Sequence, residues 1–413
     1  MPVQDETRDA PRLKVLVVGL ILDGTDVGGT FASFKWVEAL GRHADVTLLC
    51  LQRPGRIPTA EQLPNVRVVT WPEPAILGRF ERIRAQLKPA WPLFAFQARR
   101  WIARALARGE RFDVAHHINP QAMRHPSPLR FFKIPYVIGP QDGSLPTPAS
   151  MSSEVKDSLV VRLRFLDALR MHFDGGLRAT YERAALVLGV APYVREVLAG
   201  LRLRRFETRL ERAGDPVAQA AWTPPAPGEL RLLHVGRVIR TKGLRDMVRA
   251  MALLRDLPGV RLTSAGDGPD LAACRAEAEA LGVADRIDFR GQIPRHEVER
   301  LYASHHVFAF PTFREPMGGV FFEAMRWGLP VVTADYGGPQ AIVDEASGVR
   351  VPVTTPEQFP KDIAAVVREL VADRERLAGY AQGVRRRMAD LGDWDGKARD
   401  TIALYRQIMR DTI

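Results

Sequence analysis

LRLLHVGRVIRTKG, residues 230–243, is the stretch that decides the fold. Leu230–Val235 reads as a buried strand. It ends at Gly236-Arg237, and Lys242-Gly243 opens the next helix. A strand that runs through a short loop into a helix is the repeating unit of an α/β domain. Open sheets of this kind bind ligands in the crevice outside the C-terminal ends of their strands. Arg237 and Lys242 fall on that rim. Two fixed cations beside a helix N-terminus suit a diphosphate. A solvated Arg and Lys on an ordinary loop would give the same string, so the pair gains meaning only from its surroundings.

The same alternation runs outward in both directions. Strands are expected at 13–20, 45–51, 66–71, 112–117, 136–139 and 185–190, and again at 230–235, 260–265, 286–290, 307–311 and 330–334. Helix-length periodic stretches separate them, such as 31–40, 271–281 and 356–371. Continuous Val, Leu and Ile runs indicate strands buried on both faces, hence parallel sheets. Two successive arrays predict two doubly wound α/β domains. Between them, residues 213–229 hold Pro216, Pro224, Pro225 and Pro227, which disfavour helix and strand interiors and mark a linker. The expected division is 1–215, 228–392 and a terminal helix in 393–413 with Ala398, Ile402, Tyr405 and Ile408 on one side.

Composition bounds the rest. The chain has 413 residues, 46% hydrophobic and 26% charged, which is ordinary globular composition and excludes global disorder. Two cysteines, Cys50 and Cys274, lie in separate apolar or helical runs and read as reduced thiols. No run reaches the roughly 18 apolar residues of a spanning helix. The acidic start, Met1 to Pro11, does not read as a secretory signal. These features suggest a cytoplasmic protein. The net charge is +11, and residues 1–226 carry 32 Lys and Arg against 22 Asp and Glu, whereas 227–413 carry 27 against 26. Basicity in the first half favours a phosphorylated ligand, anionic lipid or nucleic acid. Nucleic acid is not expected, because the basic half lacks a reading motif and the chemical motifs lie in the neutral half.

The sharpest motif is PTFREPMGGVFFEAM, residues 311–325. A strand ends, a loop carries Glu315, and a helix begins near Gly319 with Glu323 one turn inside. Gly318 and Gly319 leave bare backbone N–H groups for a ligand. Carboxylates at such positions accept hydrogen bonds from sugar or ribose hydroxyls. A loop Glu and a helix-start Glu favoured by the dipole would look alike. Gly337-Gly338 is another rim loop, and Ser264-Ala-Gly-Asp-Gly-Pro reads as a structural turn.

Taken together, Gly236-Arg237, Lys242-Gly243, Glu315 and Glu323 with seven residues between them, Gly328–Val332 and Gly337-Gly338 resemble the retaining glycosyltransferases of family 4, the group 1 glycosyltransferases. The resemblance covers residues 230–350. It implies a GT-B architecture, in which two Rossmann-like domains face each other across a cleft. It implies a hexosyltransferase-type reaction with retention, from a nucleotide-sugar donor to a saccharide or lipid-linked saccharide acceptor, in polysaccharide or glycolipid assembly. Carried over by position, Arg237 and Lys242 would bind the donor diphosphate, and Glu323 the ribose. Glu315 would bind the donor sugar, the Met317–Val320 backbone (with Gly318 and Gly319) sugar and phosphate, and the loop with Gly291 and Ile293 the base. One departure is Ala341, where the family commonly has Glu. Another GT-B enzyme, a nucleotide-sugar epimerase or a phosphorylase, is the alternative.

The first half is less specific. Gly28-Gly29 precedes a helix and implies a cleft loop in the resembled family, although a plain turn would read the same. Asp113-Val-Ala-His-His-Ile-Asn-Pro120 puts His116 and His117 on opposite faces at a strand end. The family often has a functional histidine there, and spacing leaves open which of the two matches. Gly139-Pro-Gln-Asp-Gly143 reads as a further cleft loop or turn. The Arg-rich stretch 78–111, with Trp91, Phe94, Phe96 and Trp101, and the stretch 159–173 with Arg162, Arg164 and Arg170, suit an anionic membrane surface or solvated core helices. That suggests peripheral contact with the inner face of the cytoplasmic membrane. No metal and no other cofactor is expected, because the two cations can meet the departing charge. Asp393-Trp-Asp395 opens a helix and reads as a cap rather than a metal site.

Overall fold

The structure, a computed structural model, describes residues 11–26, 28–75, 88–155, 170–214 and 222–412. The arginine-rich residues 76–87, the stretch 156–169 and residues 215–221 of the linker lie outside the described residues, as do 1–10 and Val27.

Seven strands form the first sheet: β1 (Lys14–Gly19), β2 (Asp45–Gln52), β3 (Val66–Pro72), β4 (Val114–Asn119), β5 (Tyr136–Gln141), β6 (Leu186–Gly189) and β7 (Phe206–Thr208). Their order is β3-β2-β1-β4-β5-β6-β7, and every pairing is parallel. Six more form the second: β8 (Leu230–Val235), β9 (Val260–Ala265), β10 (Ile287–Gly291), β11 (Val307–Phe310), β12 (Val331–Ala334) and β13 (Gly348–Val351). Their order is β10-β9-β8-β11-β12-β13, also parallel throughout. Strands β4, β5, β6, β11 and β12 are buried along their whole length. That is the physical signature of a sheet covered by helices on both faces.

Each sheet reverses its winding between its first and fourth strands. The loops leaving β1 and β4, and those leaving β8 and β11, therefore diverge and open a crevice. Eleven strands fall where the sequence pattern places them, within two residues at each end. The short edge strands β7 and β13 have too few apolar residues to show a period. The first helix, Gly28–His43, starts three residues before the apolar period, directly at the glycine pair.

The terminal helix, Trp394–Thr412, leaves the second domain and packs on the Gly28–His43 helix. Ala398, Ile402, Leu404, Tyr405 and Ile408 are buried in the first-domain core. Trp36 Nε1 donates to Thr401 Oγ1 at 3.1 Å, and the Lys397 ammonium lies 4.0 Å from the Trp36 ring centre. Asp393 caps the helix by accepting from the Gly396 N–H at 2.7 Å. Asp395 instead pairs with Arg42 and His43 of the first domain. Cys50 and Cys274 are free and buried, and burial raises both thiols to about 12.

Candidate functional site

Three rim loops of the second domain stack on one another. The Gly236 N–H donates to Ala265 O at 3.0 Å, the Val238 N–H to Asp267 O at 2.9 Å, and the Gly266 N–H to Gly291 O at 2.8 Å. A Cβ on Gly266 would lie 1.9 Å from Gly236 O, so the contact requires glycine. The turn 264–269 is thus structural, as its sequence indicates, and it fixes the loop that presents Arg237. Arg237 is exposed on the rim and has no side-chain partner among the described residues. Lys242 is mostly buried and donates to Glu315. That bond joins the loop leaving β8 to the loop leaving β11.

Gly318, at a φ of +92°, turns the chain into the helix Gly319–Arg326. Glu323 lies on this helix, half-buried beside the hydroxyl of buried Tyr302. Burial pushes the Tyr302 phenol well above its usual range, and the nearby Glu323 charge pushes it further. Gly337-Gly338 packs directly under the Glu315 loop: the Gly338 N–H donates to Glu315 O at 2.8 Å. Gly291 ends β10 and Ile293 lies on the loop after it, partly buried against the second-domain core. The structure therefore brings Arg237, Lys242, Glu315, Glu323 and the bare N–H groups near Gly319 to one end of one sheet.

The first domain faces them with groups the sequence does not advertise. Gly29 backs onto Glu211 and Gln121; a Cβ there would lie 2.8 Å from the Glu211 carboxylate. Gln121 Nε2 donates to Glu211 at 2.8 Å. Burial raises Glu211 to about 8, and the Asp142 charge adds to the shift while Arg212 and Lys397 oppose it. Asp142, on the loop 139–143, is raised to about 6 by burial and then by the negative charge of Glu315. Lys397 is lowered to about 7, by burial and then by Arg209. The next residue along, Arg212, sets its guanidinium over the second-domain helix start, 3.2 Å from where a Gly319 Cβ would sit. Glu211 and Arg212 follow the edge strand β7, too short to be read in the sequence, so nothing marked them as rim residues.

The structure buries both histidines. Neither reaches the cleft surface. His116 is fully buried between the sheet and the terminal helix, with Nδ1 2.5 Å from Tyr405 Oη and Nε2 donating to Gly139 O at 2.7 Å. Burial lowers it to about 4. His117 is 1% exposed on the opposite face and stacks on Trp91 at 4.9 Å, with neither ring nitrogen hydrogen-bonded. Burial, and then the neighbouring His125 and His116, lower it to about 3. Both are neutral imidazoles in packed surroundings. Gly28 starts the helix at a φ of +65° with open space beside it. Among the described residues, no group of three or more His, Cys, Asp or Glu could hold a metal ion, and no helix is long and apolar enough to cross a membrane.

Two parallel-sheet Rossmann-like domains facing across a cleft define the GT-B class, and solved structures agree on the fold. Sucrose-phosphate synthase from Thermosynechococcus elongatus superposes with a TM-score of 0.64 at 20% identity, covering 97% of this chain and 100% of that one. Anabaena Alr3699/HepE, in complex with UDP and glucose, gives 0.59 at 17% identity over 95% of this chain and 100% of that one. Residues 222–384 match the family model of the glycosyl transferases group 1. The D-inositol 3-phosphate glycosyltransferase of Segniliparus rotundus is 36% identical over 207 residues, which are 48% of this chain and 44% of that protein. The chain spans about half the length of the curated relatives it matches.

Proposed function

We propose that this protein transfers a hexosyl group from a nucleotide-sugar donor to an acceptor hydroxyl, with retention at the anomeric carbon. The observation that carries the reading is the convergence of Arg237, Lys242–Glu315 and Glu323 around the Gly318-Gly319 helix start. Arg237, Lys242 and the helix dipole supply positive charge where the diphosphate gains negative charge as it departs. Glu323 takes the ribose hydroxyls, and Glu315 the sugar hydroxyls, while the bond from Lys242 holds Glu315 in place. The C1–phosphate oxygen bond breaks as the acceptor oxygen bonds to C1, and the acceptor's proton passes to the departing diphosphate. No metal is required in this scheme, because the two cations and the helix start meet the charge. Asp142 and Glu211 lie on the acceptor side.

Calorimetric titration with UDP, GDP, ADP and CMP tests the reading. One nucleotide should bind the wild type, and Glu323→Ala should weaken it at least tenfold, about 1.4 kcal/mol. Binding of none would overturn the donor site. An epimerase would turn over the donor without acceptor, and a phosphorylase would need phosphate, so a product assay separates these alternatives.

We further propose a lipid-linked saccharide acceptor met at the inner face of an anionic cytoplasmic membrane. What supports this is one face of the first domain. The helix Trp91–Ala107 has no acidic residue, and Leu93, Phe96, Arg99 and Arg100 are exposed on it. Exposed Phe131 lies between the Arg99 and Arg130 guanidinium groups, 3.8 and 4.3 Å from its ring centre. Beside it, a cavity of about 400 Å³ is lined by Arg130, Lys133, Arg183 and Arg204 with no carboxylate. Apolar tips among cations suit an anionic lipid surface. Co-sedimentation with anionic vesicles tests it, and no binding would end the proposal.

A further inference from the structure

Each domain buries a methionine in the other. Met151 lies on a short 3-10 helix, Ala149–Glu154, in the chain segment that leaves the first sheet after β5. Its side chain is fully buried in the second-domain core. Met317 lies in the second-domain loop after β11. Its side chain is buried in the first-domain core cluster, which also holds Leu145 and Tyr193. Tyr336 and Ala341 pack against the same cluster. Ala341 is the position where the resembled family commonly carries a Glu, and here an apolar side chain joins the seam instead.

Residues 145–154 form a strap across the second domain. Leu145 wedges against Gly337, where a Cβ would lie 2.5 Å from it. The Tyr336 hydroxyl donates to Pro146 O at 3.2 Å, and Arg314 donates to Thr147 Oγ1 at 2.8 Å. Ser150 Oγ donates to Val353 O at 3.4 Å. At the far end, Glu154 accepts from Arg240 Nε at 2.6 Å and from Arg249 at 3.4 Å. Arg240 is almost fully buried and makes a two-pronged bond to buried Asp246, at 2.6 and 2.9 Å. Glu154 thus completes a buried charge network that belongs to the other domain. Such a contact is costly to half-break, because a buried cation then loses a partner.

The strap meets the second domain at the loop that presents Glu315. Arg314 and Met317 flank Glu315, and Gly318-Gly319 follow at once. We propose that the strap and Met317 are one interdomain lock that positions the Arg314–Gly319 loop for the donor's sugar. Thr147, Glu154 and Met317 are then positioning residues for that end of the donor. Arg237 and Glu323 stand on second-domain elements outside that loop, so their contacts do not depend on the lock. The inference rests on the nucleotide-sugar reading of this site.

The test uses the full chain with Thr147→Val, Glu154→Gln, Met317→Ala and, as the conservative control, Met317→Leu. With the nucleotide-sugar that the wild type uses, KM should rise about tenfold in the first three, the scale of a loosened positioning contact. Affinity for the matching nucleoside diphosphate should stay within about twofold of wild type in Thr147→Val and Glu154→Gln, which lie outside the donor contacts. Met317→Leu should restore KM, since it keeps volume and apolarity. Small-angle scattering should show a larger radius of gyration for Glu154→Gln and Met317→Ala. Equal weakening toward nucleotide and nucleotide-sugar would overturn the proposal, as would unchanged KM. An expanded shape with unchanged KM would also overturn it. If the wild type binds no nucleotide-sugar, the functional reading itself fails, and that outcome is visible before any variant is made.

Discussion

His117 shows how much a single side chain depends on its surroundings. Its place at the end of β4 suggests a group that touches substrate, yet its ring stacks on Trp91 in the core. Its pKa of about 3 lies well below the usual histidine range of ~6.5. Between those values the unfolded chain binds a proton that the folded chain does not. Stability therefore rises with pH through that window and is lost as pH falls. The thermal midpoint should drop between pH 6.5 and 4.5, and drop less in His117→Phe, which keeps an aromatic stack on Trp91. Transferase activity at pH 7.5 should stay within about threefold in that variant, whereas loss of a group acting in the transition state costs ~10²-fold or more. A hundredfold loss would return His117 to the catalytic set. Residue identity was legible here and residue role was not, because alternation along a strand gives the face but not what covers it. Glu315 is read from its loop position and glycine neighbours, and the structure places its carboxylate on Lys242.

Helices and strands were the most legible scale. Strands β8 and β9 fall on their sequence positions because an apolar run bounded by glycine has few other solutions in a parallel sheet. The helix Trp91–Ala107 carries its reading on two faces. Trp91, Phe94, Ala98, Ile102 and Ala105 recur at helical spacing and are buried, while the arginines and Phe96 point outward. The pattern alone could not separate a solvated basic face from a docking face. Phe131 arrives from another segment and joins the same patch, and that supports the proposed docking face. The double variant Phe96→Ser, Phe131→Ser should lose co-sedimentation with phosphatidylglycerol vesicles. Arg99→Gln with Arg100→Gln should weaken it about tenfold or more, at ~1 kcal/mol per arginine near the surface. Binding that survives both changes, or that ignores salt, would sink the membrane proposal.

Among the described residues, the two sheets are tied together by the 145–154 strap and by the terminal helix. The helix returns Tyr405 to His116 across 289 positions of chain. Tyr405→Phe should cost ~1–2 kcal/mol, since it leaves a buried ring nitrogen without its partner. Urea unfolding should show that loss in the first domain, while nucleoside diphosphate affinity in the second stays unchanged. A fall in nucleotide affinity instead would show that the helix also acts on the donor site. The sequence by itself determined the two α/β arrays and the places of their strands, because each rests on local signals: apolar runs and glycine turns. Tertiary structure alone decided the rest. It buried both histidines, brought Glu211, Arg212 and Asp142 to the cleft, and exchanged Met151 for Met317 between the cores. Those outcomes depend on contacts between residues far apart in the chain, for which a single sequence carries no periodic signal.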